Sequence, residues 1–114
     1  MKHGPNAISE LDIFALSIQQ GMLGCWSSNV NLVCFKWVNG SWLVSAFLDR
    51  ESAEDEDWIE EGIENTSIIL EEYINFYRFD GKFYAKIYVN ISVSAKNQEI
   101  IHDSDFRVVY SRRN

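Results

Sequence analysis

The sequence predicts an α+β domain ordered helix-strand-strand-helix-strand-strand-strand, an antiparallel sheet with two helices packed on it. Three observations lead there. Asn39-Gly40 and Asp80-Gly81 are two-residue turn pairs set between apolar runs, the signal of tight hairpins. Residues 82–95 alternate apolar and polar side chains, the period of a half-buried strand. Ahead of each hairpin, apolar residues recur every three or four positions, the period of a helix. At 114 residues the chain is one domain, with residues 1–6 and 112–114 expected to fray.

The first helix is expected over residues 7–20. Asn6 or Ser9 caps it, Ile8, Leu11, Ala15, Ile18 and Met22 form its buried stripe, and Gly21 stops it by tolerating positive φ. The first hairpin joins residues 30–38 to 41–49. Its turn fixes the register, setting Trp37 opposite Trp42, Phe35 opposite Val44 and Val33 opposite Ala46. One face is then wholly apolar and aromatic. The other pairs Leu32, Cys34 and Lys36 with Phe47, Ser45 and Leu43.

Ser52 caps a second helix expected over residues 53–65, with Asp55 at capping-box spacing and Trp58, Ile59, Gly62 and Ile63 on the buried side. Residues 66–79 read two ways. A continued helix aligns Ile63, Leu70, Tyr73, Ile74 and Tyr77. A strand paired across Asp80-Gly81 sets Phe76, Ile74, Leu70 and Ile68 against Ala85, Ile87, Ile91 and Val93, all apolar pairs. Its other face gathers Tyr73, Tyr77, Tyr84 and Tyr88. The clean sorting favours the strand, although Glu disfavours strands and Glu72 falls on the apolar side. The long strand over 82–95 calls for a bend, and a last strand over 105–111 is an edge open to self-association.

Charge is the most informative feature. Seventeen acids against ten bases give a net charge of −7. Nucleic-acid binding and polybasic membrane binding both need the opposite sign. Between Asp49 and Glu72 stand eleven acids and one base, Arg50, a net −10 that leaves the rest of the chain at +3. Glu54 to Asp57 suit the first turn of a helix, where the macrodipole favours negative charge. Glu60, Glu61 and Glu64 lie beyond that turn and repel one another and their neighbours, at roughly 0.2–0.5 kcal/mol per pair. Two readings follow: a solubilising helix face, or a docking face for a basic partner with Trp58 as apolar anchor.

Chemistry is sparsely signalled. His102 and Asp103 sit in a polar turn without a nucleophile elbow, and no phosphate-binding loop is present. The acidic run lacks the Asp-x-Asp-x-Asp-Gly order of a calcium loop, and Cys25 and Cys34 match no zinc set, so no metal or cofactor is expected. The two thiols read as buried core residues. Glu10, Asp12, Gln19 and Gln20 interrupt the first apolar stretch, and no run approaches a membrane span. The expected compartment is the cytoplasm.

The acidic run Glu54 to Glu64, in a small aromatic-rich α+β chain, resembles the immunity proteins of bacterial bacteriocin and contact-dependent growth inhibition systems. That resemblance implies a non-catalytic protein that neutralises a cognate toxin domain, a basic nuclease above all, by covering its nucleic-acid cleft. The residues it assigns to the interface are Glu54, Asp55, Asp57, Trp58, Glu60, Glu61 and Glu64. Separately, Phe76-Tyr77-Arg78-Phe79-Asp80-Gly81-Lys82 is similar to a hairpin of NTF2-like domains. That alternative implies a small-molecule pocket or an enzyme. Glu72, turned toward apolar neighbours and raised in pKa by burial, would then be the leading acid, ahead of His102 and Asp103.

Overall fold

The structure is a computed structural model that describes residues 10–24, 27–77, 86–93 and 106–112. Its elements run α1 (Glu10–Gly21), β1 (Val30–Val38), β2 (Ser41–Leu48), α2 (Ala53–Tyr77), β3 (Ile87–Val93) and β4 (Arg107–Ser111). The four strands form one sheet in the order β3-β2-β1-β4.

The first hairpin forms as the sequence predicts. Asn39 and Gly40 both have positive φ, 52° and 80°, which a type I′ turn requires. Trp37 faces Trp42, Phe35 faces Val44 and Val33 faces Ala46. Helix α1 covers this apolar face. The Phe14 ring stacks on Trp42 at 4.2 Å and meets Phe35 edge-on at 4.8 Å. Each such aromatic pair contributes about 0.5–1.5 kcal/mol beyond its buried area. On the opposite face Leu32, Cys34 and Phe47 are buried, with half-buried Phe106 packed against them.

The α1 stripe follows expectation in part. Ile18 and Met22 are buried and Ala15 packs against the core, but Ile13, Phe14, Ser17 and Gly21 are buried as well, while Leu11 is 45% exposed. The stripe is rotated because Phe14, the bulkiest apolar side chain available, takes the centre of the contact with the sheet. Gly21 ends α1 without a positive φ, and Gly24 carries that conformation instead, at 87°. Residues 1–9, and with them the proposed caps Asn6 and Ser9, lie outside the described residues.

The segment read as a strand is helix. α2 continues without interruption through residues 66–77 and carries Thr66 and Leu70 into the core beside Ile59 and Ile63. The helix also removes the flaw in the strand reading, because Glu71 and Glu72 now face water. Glu72 therefore has no apolar enclosure. Tyr73 sits on α2 and Tyr88 on β3 beside Leu43, so these two tyrosines are not paired across a hairpin as the strand reading expects; Tyr84 and the side chain of Tyr77 lie outside the described residues. Phe76 and Tyr77 end a helix, which removes the strand half of the NTF2-like hairpin. Asp80-Gly81 itself lies outside the described residues.

With no strand at 68–77 to pair with, β3 joins β2, and the sheet is mixed rather than antiparallel. Ile87, Val89, Ile91 and Val93 lie parallel to Trp42, Val44, Ala46 and Leu48. A parallel neighbour needs a long crossover, and α2 supplies it. The alternation read from the sequence survives in β3: Ile87, Val89 and Ile91 pack on the main core while Tyr88 and Asn90 are exposed. The remainder of the expected 82–95 strand lies outside the described residues, apart from Lys86, whose carbonyl accepts the Trp42 N–H at 3.0 Å. β4 pairs antiparallel with β1 through a bulge near Val33. Arg112, expected to fray, is held: its N–H reaches the Asn31 carbonyl at 2.9 Å and its guanidinium bonds Asp49 at 2.6 Å and the Ser28 carbonyl.

Candidate docking face

Helix α2 positions the candidate site. Ser52 caps it, with its Oγ accepting the Asp55 N–H at 3.2 Å and its carbonyl accepting the Glu56 N–H at 3.0 Å. Ile59, Gly62, Ile63, Thr66 and Leu70 recur at three and four and fix the buried side. The opposite side is set by subtraction, and it is acidic. Glu54, Asp57, Glu60, Glu61 and Glu64 are all exposed, as the sequence reading requires of an interface. The helical course of residues 66–77 adds Glu71 and Glu72, which the strand reading had assigned elsewhere. From Glu54 to Glu72 the face runs about 27 Å at 1.5 Å per residue.

Two large apolar side chains break the acidic surface. Trp58 is 49% exposed and Ile68, between Glu64 and Glu72 on the same side, is 58% exposed. Trp58 was expected either in the core or as an anchor. The partition places its neighbour Ile59 fully inside and Trp58 at the border of the acidic face.

Asp55 differs from the other acids. Its carboxylate accepts a hydrogen bond from Asn29 Nδ2 at 2.9 Å. That hydrogen bond, above all, holds its pKa below the usual carboxylate value; burial opposes the shift, while Ser27, Ser52 and the charge of Arg50 add to it. Asn29 is buried, and it also donates to the Arg50 carbonyl at 2.8 Å and accepts the Arg50 N–H at 2.9 Å. One side chain thus ties the start of β1, the end of β2 and the first turn of α2 together. Nothing in local sequence marks Asn29 for this role, because each of its partners is more than twenty residues away in the chain.

Beside this node, Gly24, Ser27, Glu54, Asp55 and Trp58 line a shallow depression between the end of α1 and the start of α2. Gly24 and Ser27 had carried no signal in the sequence. His102 and Asp103 lie outside the described residues. Among the described residues no cluster of three or more His, Cys, Asp or Glu is arranged around a common metal position. No helix among them is long and apolar enough to cross a membrane.

The carboxylates of α2 contrast with acids elsewhere. Asp12 bonds Arg107 at 2.8 Å and Asp49 bonds Arg112 at 2.6 Å. Among the described residues no ion pair reaches an acid of α2, which itself contains neither Lys nor Arg. Compared with protein-family models and with curated proteins, the chain matches none.

Proposed function

We propose that this protein is a non-catalytic inhibitor of the bacterial immunity type, which docks the acidic outer face of α2 on a basic partner domain. The observation that carries this reading is the charge of α2: nine carboxylates with neither Lys nor Arg among them, on one continuous element, and no ion pair to them among the described residues. A helix selected only for stability gains from Lys at positions such as 61 and 64, where Glu instead repels Glu. Retaining like charge at that cost suits a surface whose counter-charges arrive with a partner. Such a face accelerates encounter with a basic domain, disfavours other partners, and weakens as salt screens it. A toxin nuclease holds its substrate through cationic groups, so an acidic rod laid across them excludes nucleic acid by occupying the same charges.

The test is capture from native lysate at low ionic strength on the immobilised protein, beside a variant carrying Glu60→Lys, Glu61→Lys and Glu64→Lys. The expected result is a basic protein that the parent retains, that rising salt releases and that the variant fails to hold. Its isolated activity should then fall stoichiometrically as the parent is added. Equal retention by parent and variant would overturn the reading.

A further inference from the structure

We infer that the outward side of the two-helix layer, along Leu16 of α1 and Leu23 in the turn after it, seats an amphipathic helix of the protein partner, with Lys or Arg on the flank turned to α2. This rests on the docking reading above and names the element of the partner that binds. α1 and its following turn direct Phe14, Ile18 and Met22 into the core. Leu16 and Leu23 stand on the other side of the helix and are 41% and 74% exposed. The turn keeps them in line, because the Met22 N–H still reaches the Ile18 carbonyl at 3.0 Å and the Leu23 N–H reaches the Gln20 carbonyl at 3.3 Å. Gln20 lies between them, and its Nε2 donates to the Tyr73 hydroxyl of α2 at 3.0 Å. Ile69, four residues before Tyr73, is only partly buried. The close approach of Gly21 to Thr66 holds the two helices near enough for one partner element to touch both.

Charge selects the occupant. α1 carries Glu10 and Asp12, α2 carries nine carboxylates, and neither helix has a Lys or Arg. A second copy of this chain would bring the same acids against themselves, so the complementary partner is basic. Spacing selects a helix. Leu16 and Leu23 are seven residues apart, about 10 Å along the axis, which matches apolar side chains at i and i+7 of a helix laid alongside. Such a helix sets its apolar stripe on Leu16, Leu23 and Ile69, and its basic flank over Glu61 and Glu72, both exposed on α2. Charge alone favours any basic domain. The leucine strip adds a contact that loses its water on binding, and that contact fixes the register.

The experiment titrates the intact protein with synthetic peptides while backbone N–H resonances are followed by NMR. One peptide is an amphipathic helix with Leu at i, i+3 and i+7 and with Lys and Arg on one flank. Another has the same composition in scrambled order, and a third carries Glu in place of Lys and Arg. The expected result is saturable shifts at Leu16, Gln20 and Leu23 with the basic amphipathic peptide, binding about tenfold weaker with the scrambled one, and none with the acidic one. A variant carrying Leu16→Gln and Leu23→Gln should weaken the basic amphipathic peptide about tenfold. Both leucines are exposed and Gln is a good helix former, so the variant should fold with an unchanged urea midpoint. Equal binding of the ordered and scrambled peptides, shifts confined to the acids of α2, or binding of the acidic peptide would overturn the inference. Concentration-dependent dimerisation that the leucine variant abolishes would also overturn it, by giving the strip to a second copy. With a captured partner in hand, loss of binding to the Glu60, Glu61 and Glu64 variant but none on the leucine variant would overturn the strip and leave the docking face standing. Loss on the leucine variant alone would instead overturn the docking reading.

Discussion

Gly21 of α1 and Thr66 of α2 stand so close that a methyl group on Gly21 would lie 2.3 Å from Thr66 Oγ1 and 2.7 Å from Thr66 Cα. The two helices meet there backbone to backbone. Thr66 is buried and turns its hydroxyl inward along its own helix, donating to the Gly62 carbonyl at 2.7 Å.

Gly21→Ala should therefore destabilise the protein, although alanine is the better helix former. Overpacking of this kind costs about 1–3 kcal/mol, which urea unfolding can resolve. Adding Thr66→Ala should recover only part of the loss, because the backbone N and Cα of residue 66 remain within 2.7 Å of the new methyl group. Full recovery by the double variant would contradict the backbone contact.

The stack of Phe14 on Trp42 joins α1 to the hairpin. Phe14→Ala should cost about 3–5 kcal/mol and also remove much of the near-ultraviolet circular dichroism contributed by Trp42. Phe14→Leu keeps most of the volume and should cost less. A loss below about 1 kcal/mol for alanine would show that the helix is anchored elsewhere.

Asp55 links stability to pH. Its pKa is lowered in the fold, first by the Asn29 hydrogen bond, so the charged form is the one the fold favours. The stabilisation is complete above the unfolded value near 3.8 and is lost as pH falls through the lower folded value. Asp55→Asn should flatten that part of the acid-unfolding curve. Asn29→Ala should remove the main cause of the shift and leave the Arg50 N–H without its side-chain acceptor, a loss of about 1–3 kcal/mol even at neutral pH. The check is stability against pH for the three proteins, measured with a common denaturant.

Glu64→Lys separates fold from function. It places Lys four residues after Glu60 on the exposed face, in the favourable order, and relieves a like-charge pair. The isolated protein should gain a few tenths of a kcal/mol. Binding to the partner should weaken, with a smaller dependence on salt. A variant that is more stable and binds equally well would identify Glu64 as part of a merely solvated surface.

What could be read from the sequence divides along chain distance. The first hairpin and its register were legible because Asn39-Gly40 decides them locally. The extent of α2 was not. Ile68 and Leu70 fall on one face of a strand, but in the helix Ile68 is exposed and Leu70 buried. Residues 68–76 satisfy the strand period and the helix period together, and the Asp80-Gly81 pair beside them tipped the reading toward a hairpin. The low strand propensity of Glu71-Glu72 was the signal that pointed to helix. The acidic face was legible from composition, and its true length was not, because it depends on that same segment. Asn29, Gly24 and Ser27 join the site through contacts that only the assembled chain creates.

The pairing of β2 with β3 has a consequence for the order in which the sheet can assemble. The central pair, β1 with β2, closes a loop of two residues. The outer pairs must wait for distant partners: β3 for the return of the chain through α2, and β4 for a partner more than seventy residues upstream. Contacts of long sequence separation form late. The hairpin and α1 can therefore assemble into a nucleus around Phe14, Phe35 and Trp42, with the outer strands zipping on afterwards. Native-state hydrogen exchange should show the same gradient, slowest at the β1–β2 ladder and faster toward both margins of the sheet.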